Sequence, residues 1–346
     1  MAFHIAVVFI GLIAGLLALF LLYAEATRYR PEEFTCLHVN ENPDILPDGA
    51  VFTIITWNLG YAGLGDDMDF FFDGGIQVRT SHQRSLTNLE AISSFIGSKR
   101  DVQFFMFQEA DKKSRRSYGL HIPDSLKKVL TEYNHSFALN YKVQFVPVPL
   151  YNPMGKVMSG SITASKPRPS IAKRIGFPGN YPWPERLFNL QRCMLLSRHP
   201  LENGKELVLI NTHNSAFDDG GLRRQQMESM RQIMLAEYEK GNYVIAGGDF
   251  NQCPPSFVPA FEDNLFDKAD LMYVPDDFLP DWHFVYDPSV PTSRRLLEPY
   301  DAGSTKTTLI DYFIASPNVH PIHVEGIHLG FLHTDHNPVK ATFQLH

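Results

Sequence analysis

Tyr243-Val244-Ile245-Ala246-Gly247-Gly248-Asp249-Phe250-Asn251 holds in one short run the pattern that decides the fold. Four apolar residues without polar alternation read as a strand, and two glycines, an acid and an amide then crowd its tip. Polar groups at strand ends are where a packed scaffold presents a site to solvent. Moving outward, the same arrangement recurs. Ile54-Ile55-Thr56-Trp57 runs into Asn58, Phe104-Phe105-Met106-Phe107 into Gln108-Glu109, and Leu207 to Ile210 into Asn211-Thr212-His213. Leu309-Ile310 runs into Asp311-Tyr312, and His333-Thr334 precedes Asp335-His336 just before a final strand. One such end is an ordinary turn, because Asp, Asn and His all populate turns. Six in one chain point to a site.

Between these runs the pattern predicts nine strands: Phe52–Trp57, Val102–Gln108, Phe137–Val146, Ser161–Ala164, Cys193–Ser197, Leu207–Asn211, Tyr243–Gly247, Thr308–Ala315 and Val339–Phe343. Helical spacing predicts three helices, His82–Gly97, Asp124–Tyr133 and Leu222–Tyr238. The first places Leu86, Leu89, Ile92, Ser93 and Ile96 on one stripe, with Arg84, Asn88 and Ser94 facing elsewhere, Ser81 as N-cap and Gly97 as stop. Three helices cannot cover nine strands by simple βαβ alternation, so the pattern predicts an α/β fold of packed sheets with helices outside.

The chain has 346 residues, 44% hydrophobic and 20% charged, which is the composition of an ordinary globular protein and excludes a mainly disordered one. A net charge of −7 argues against bulk electrostatic attraction to nucleic acid, though a bound cation can supply positive charge locally. Between Lys166 and Arg198 the balance reverses: Lys166, Arg168, Lys173, Arg174, Arg186, Arg192 and Arg198 face one acid, Glu185. This reads as a solvated basic loop, or as one that meets an anionic substrate or membrane surface. Cys36, Cys193 and Cys253 are too few and too scattered for a disulfide framework or a CxxC metal site.

Ala2 to Tyr23 is an apolar run of the length an α-helix needs to cross a hydrocarbon core of ~30 Å. Ala24-Glu25-Ala26 fits a cleavage pattern, but the run exceeds the roughly 7–15 apolar residues of a signal peptide. Residues 1–26 are therefore read as an uncleaved transmembrane anchor, 27–50 as a linker and 51–346 as one catalytic domain outside the cytoplasm. Arg28 and Arg30 follow the anchor and nothing basic precedes it, which sits awkwardly with the positive-inside rule.

Glu109, Asp249 and Asp335 with the amides of Asn58 and Asn251 are hard oxygen donors suited to Mg²⁺ or Mn²⁺. Zinc spacings are missing from the His and Cys residues. His213 and His336 can protonate or orient around a phosphate, and Asp311 can fix the tautomer of one of them. Together these groups predict metal-dependent phosphoester hydrolysis, where catalysis is mostly positioning and charge stabilisation.

Trp57-Asn58, Gln108-Glu109, Asn211-Thr212-His213, Gly248-Asp249-Phe250-Asn251, Ile310-Asp311-Tyr312 and Thr334-Asp335-His336 stand in an order that resembles the endonuclease/exonuclease/phosphatase superfamily. That group includes pancreatic-type deoxyribonuclease, abasic-site endonucleases, neutral sphingomyelinases and inositol-polyphosphate 5-phosphatases. The resemblance spans about 51 to 346 and implies a four-layer α/β sandwich of two packed mixed β-sheets flanked by helices. It implies Glu109 as principal metal ligand with Asn58 beside it and Asp335 in the metal shell or orienting its neighbours. Asp249 would orient or deprotonate the attacking water, Asn251 hold a phosphate oxygen, and His213 contact the scissile phosphate. His336, paired with Asp311, would polarise it or act as acid or base.

Two stretches bear on the substrate. Gly60 to Gly75 carries Phe70-Phe71-Phe72, and Pro147 to Gln191 carries Tyr151, Phe177, Tyr181, Trp183 and Phe188 among prolines and the basic cluster. Aromatics mixed with Lys and Arg stack bases or seat a protein at a lipid interface. The anchor tilts the reading toward a lipid head-group or other extracytoplasmic phosphodiester. An endo- or exonuclease is the alternative, and a catalytically inactive membrane-anchored binding module is the alternative of another class. No protein partner is expected. Arg223 and Arg224 are further candidates to reach a phosphate, whereas His82, His121, His135 and His199 and the acidic run Asp66, Asp67 and Asp69 read as structural or solvated.

Overall fold

Neighbouring residues of the central strands face different cores, and this stacks the layers. The computed structural model describes every residue except 217, 219, 262–265 and 267–270. One sheet holds β2 (Val51–Asn58), β3 (Phe104–Asp111), β4 (Asn134–Val146), β5 (Gly155–Ser165), β14 (Val319–Gly326) and β15 (Val339–Leu345), in the order β14-β15-β2-β3-β5-β4. The other holds β1 (Phe34–Val39), β6 (Ile171–Gly176), β7 (Cys193–Pro200), β8 (Glu206–His213), β9 (Tyr243–Asp249), β10 (His283–Val285) and β13 (Asp311–Ala315), in the order β1-β6-β7-β8-β9-β13-β10. β11 (Ser293–Arg294) and β12 (Thr307–Thr308) form a short separate ladder. The pairs β2–β3 and β8–β9 are parallel and the other ladders antiparallel, so both sheets are mixed.

On β2 and β3, Ile54, Phe104 and Met106 enter the core between the sheets, where they meet Leu207, Leu209, Ile245 and Phe313. Ile55, Trp57, Phe105 and Phe107 face outward onto α2 (His82–Ser98) and α3 (Ile122–Val129) through Leu89, Ile92, Ile96 and Leu126. On the far side Val208, Ile210, Val244 and Ala246 meet Met227, Met230 and Met234 of α4 (Gly221–Glu239). The result is four layers, helix–sheet–sheet–helix. Each fully buried apolar side chain contributes roughly 1.5–3 kcal/mol, and strands apolar on both faces make sense only in such a stack. Ser81 caps α2, accepting from the Arg84 amide at 3.2 Å. Asn88 corrects the expected face. It is buried, donating to the Ala62 carbonyl at 3.3 Å with His333 Nδ1 3.1 Å from its oxygen.

Several segments differ from the sequence pattern. β6, β10 and β14 occupy stretches where it predicts no strand. Residues 27–50, read as a linker, contain β1, which lies at the edge of the seven-stranded sheet against β6. Its exposed and half-buried residues follow no apolar alternation, as expected of an edge strand. The run Thr308–Ala315 is split, because the Thr292 hydroxyl takes the amides of both Ile310 and Asp311 at 3.0 Å and turns the chain between β12 and β13. The basic cluster disperses. Arg168 pairs with Asp44, Arg198 with Glu206 and Glu237, and Arg174 is buried on the carbonyls of Leu139 and Gln191.

α1 (Ala2–Ala26) is long and apolar enough to cross a membrane, and most of it stands free of the domain. Its last turns do not. Phe20 stacks on Phe188 with ring centroids 5.6 Å apart and meets Phe145 edge-on at 6.1 Å.

Candidate active site

Strand register assembles the site. β8 runs parallel to β9 with His213 opposite Asp249, and β13 runs antiparallel with Asp311 opposite the same Asp249. Asp311 therefore opens a strand rather than ending one, and the antiparallel turn brings that start to the tip of β9. Gly248 makes the close approach possible: at φ +146° a Cβ there would lie 2.0 Å from the Thr212 carbonyl oxygen. Asn58 of β2 bridges from the other sheet, its Nδ2 donating to Asp249 Oδ2 at 3.0 Å while its Oδ1 accepts from the Gly60 amide at 3.0 Å.

His336 Nδ1 lies 2.8 Å from Asp311 Oδ2, and its Nε2 lies 3.8 Å from Asp249 Oδ2 and 3.9 Å from Asp335 Oδ2. His213 Nε2 stands 3.5 Å from Asp249 Oδ2 and 4.0 Å from Glu109 Oε1. The Asn251 amide donates to Asp249 Oδ1 at 2.9 Å, and the Asn251 side chain donates to the Asn214 carbonyl at 2.9 Å. Asn58, Glu109, His213, Asp249, Asn251, Asp335 and His336 all line one cleft of about 490 Å³, with Asp311 buried behind His336.

Two of these residues carry backbone in the left-handed region, Glu109 at φ 54° and Asn251 at φ 52°. Glu109 sits where the β3–β5 register shifts between Phe107 and Ala110, a bulge that re-aims its side chain. Strained backbone of this kind is held in place only by its surroundings and clusters at functional sites.

Burial and the Asp311 charge push the Asp249 carboxyl up, to about 6. Burial opposes protonation of His336, but Asp311, Asp335 and Asp249 outweigh it and hold the imidazole well above its ordinary value. For His213, burial acts together with the charges of Arg192, His336 and Arg116, and the ring is held neutral. The two histidines thus face opposite electrostatic environments, the usual mark of separate roles. Burial, with Asp335 adding and Arg116 opposing, raises the Glu109 carboxyl. Its nearest cation is Arg116 at 3.7 Å, and that guanidinium is already forked onto Asp111 at 2.9 and 3.1 Å. Asp249, Asp311 and His336 also stand close enough together to be considered as metal ligands. The 2.8 Å bond between Asp311 and His336 takes up the ring's Nδ1, whereas Asp335 and the half-buried Glu109 face the same cleft and could hold a cation. Hard carboxylate oxygens whose charges repel one another fit a divalent ion.

Several quoted motif residues are scaffold. Gln108 Nε2 donates to Asn211 Oδ1 at 2.8 Å and Asn211 Nδ2 to the Ile162 carbonyl at 2.8 Å, tying the two sheets together beneath the site. Trp57 Nε1 donates to the His336 carbonyl at 2.9 Å and fixes the loop that carries His336. Arg223 reaches the cleft, but its guanidinium bonds the Asn251 carbonyl at 3.1 Å and pairs with Asp218 at 2.8 Å. Asp66 and Asp67 pair with Arg84, and Asp69 takes the amides of Ile76 and Gln77. His199 is fully buried in β7. Sequence reading missed Asn214, Thr292, Arg116 and Arg192 as site residues. Asn214 directly follows a quoted motif, and Arg192 was visible only as one charge in the basic cluster, yet it lines the cleft and donates to the His213 carbonyl at 3.3 Å.

A model of the Endonuclease/Exonuclease/phosphatase family matches residues 55–336. The chain belongs to that family. Members of the endonuclease/exonuclease/phosphatase family are phosphoester hydrolases that generally depend on a divalent metal, and this chain is an enzyme of that class. No curated protein sequence matches it significantly. Among solved structures it is similar to an endonuclease/exonuclease/phosphatase from Beutenbergia cavernae, with TM-score 0.53 and 17% identity over 85% of this chain and 72% of that one. It is similar to ANGEL2, a 2′,3′-cyclic phosphatase, with TM-score 0.53 and 15% identity over 91% and 99% of the two chains. D. rerio TDP2, complexed with a single strand DNA product, gives TM-score 0.52 and 14% identity over 85% and 99%. At these identities the likeness carries the fold.

Proposed function

We propose that this family member is a phosphodiester hydrolase using Mg²⁺ or Mn²⁺, in which a water activated by Asp249 attacks phosphorus in line. The observation that carries the reading is the position of Asp249, buried with His213 Nε2 at 3.5 Å and His336 Nε2 at 3.8 Å, in the cleft that Glu109 and Asp335 also line. Glu109 would be the principal metal ligand, with Asn58 and Asp335 as further donors from the same cleft. When bound, the ion would supply Lewis acidity and offset negative charge on the phosphate. Asp249 accepts a proton from water, which its raised carboxyl pKa suits. Asn58 Nδ2 and the Asn251 amide hold that carboxylate in place. His213 and Asn251 donate to phosphate oxygens. His336, kept charged by Asp311, stabilises the developing negative charge or protonates the leaving oxygen.

The substrate is a lipid head-group or other extracytoplasmic phosphodiester. The packing of Phe20 on Phe188 and Phe145 supports α1 as a retained anchor, since cleavage after Ala26 would remove that contact. The test uses the full chain in detergent with bis-p-nitrophenyl phosphate and Mg²⁺, Mn²⁺ or EDTA. Metal-dependent turnover that EDTA abolishes and Asp249→Ala lowers on the order of 10²–10⁴-fold is expected. No metal-dependent turnover by the wild type would leave an inactive binding module, and equal turnover by Asp249→Ala would overturn the assigned role of Asp249. Nicking of supercoiled plasmid that outpaces phospholipid hydrolysis would make the enzyme a nuclease.

A further inference from the structure

α1 spans 25 residues, about 37 Å at 1.5 Å per residue, against a hydrocarbon core of ~30 Å. With its N-terminal end crossing the bilayer, Phe20 lies at the membrane boundary, and so do the two rings it packs on, Phe145 and Phe188. Both rings lead to the cleft. Five residues before Phe188 stands Trp183, 55% exposed, on the turn between Tyr181 and Glu185, which both line the cleft. Five residues beyond Phe145 stands Leu150, 86% exposed, followed by the exposed Tyr151. The Tyr151 hydroxyl donates to the Ile76 carbonyl at 2.7 Å, which joins this loop to the exposed Ile76. Leu297 stands beside the segment that carries Ile76, its Cδ2 2.9 Å from where a Gly74 Cβ would be. Phe70, Asp73 and Leu296 of these segments line the cleft.

Single exposed apolar residues are ordinary. A set carried on segments that border the cleft, two of them five residues from the rings under a membrane-length helix, is not, because water gives it no reason to persist. We propose that the cleft opens onto the bilayer that holds α1, with Ile76, Leu150, Tyr151, Trp183 and Leu297 seated in its interface. The phosphoester hydrolysed is then carried by a lipid of that bilayer. Trp and Tyr are the side chains that favour this depth. Lys142 and Arg28, which flank the notch under α1, sit where anionic head-groups are met. The proposal rests on the reading of α1 as anchor and of the cleft as hydrolytic, and deepens it by naming the surface from which substrate is drawn.

The chain carries its own probe. Of its three tryptophans, Trp57 and Trp282 are buried and Trp183 is exposed. The full chain is reconstituted in phosphatidylcholine vesicles whose acyl chains are brominated near the glycerol end. Bromolipid should quench Trp183 emission, and Trp183→Phe should remove the quenchable part. No lipid-dependent quenching, or the same quenching in Trp183→Phe, overturns the proposal. In a second arm, the double variant Ile76→Glu, Leu150→Glu should keep bis-p-nitrophenyl phosphate turnover but lose about tenfold or more on phospholipid vesicles. Equal loss on both substrates, or loss on neither, overturns it. Quenching without turnover of either substrate by the wild type supports the bilayer contact and overturns the hydrolytic reading instead.

Discussion

Replacing the Asp311 carboxylate by an amide keeps its shape but removes the charge 2.8 Å from His336 Nδ1. Burial then acts on the imidazole with one fewer carboxylate to oppose it. Asp311→Asn is expected to lower kcat on bis-p-nitrophenyl phosphate on the order of 10²–10⁴-fold, with KM and metal requirement nearly unchanged. An unchanged kcat would show that the pair does not support the chemistry. At this scale the candidate side chains were legible, because Asp, Asn and His at strand tips have few structural reasons to recur. Their partners were not. Thr292 turns the chain with its hydroxyl and Asn214 offers a backbone carbonyl, and neither use leaves a pattern of spacing.

At the scale of elements, β8 and β9 come together because Gly248 has no side chain. Gly248→Ala would drive a methyl into the Thr212 carbonyl and force the strands apart. A loss of about 1–3 kcal/mol or more in urea unfolding is expected, together with lost activity as His213 leaves Asp249. The link from α4 to β7 is electrostatic. Glu237 Oε1 and Oε2 take Arg198 at 2.6 and 3.0 Å, and Asn242 donates at 2.8 Å. Burial would raise the Glu237 carboxyl, but Arg198, Lys240 and Asn242 hold it down at about 2, against an ordinary 4.5. A depressed carboxylate stabilises the fold above its unfolded pKa, and the contribution disappears as pH falls from 4.5 toward 2. Glu237→Gln should cost about 1–3 kcal/mol at neutral pH and flatten the stability profile across that acid window. A variant profile parallel to the wild type would refute the assignment. Strands buried on both faces were legible from apolar runs, whereas the edge strand β1 and its neighbour β6 were not, since both carry mixed residues.

The whole molecule is a four-layer domain preceded by an apolar helix that packs on it through Phe20 against Phe145 and Phe188. Orientation can be read chemically. Cys36 is exposed, while Cys193 and Cys253 are buried. If the catalytic domain stands outside the cytoplasm, a membrane-impermeant maleimide should label the protein on intact cells, and Cys36→Ser should abolish the label. Labelling only after permeabilisation would place the domain inside.

By itself the sequence determined the layered α/β class, the membrane-length helix and the residues at the strand tips. These follow from local rules: side-chain periodicity, helix length and the chemistry of oxygen donors. Only the tertiary structure decided that Asp311 stands opposite Asp249, that Gln108 and Asn211 are scaffold, and that the basic cluster dissolves into separate ion pairs. Those outcomes depend on register and on which distant segments meet. Both are products of packing across the whole chain, which no local pattern encodes.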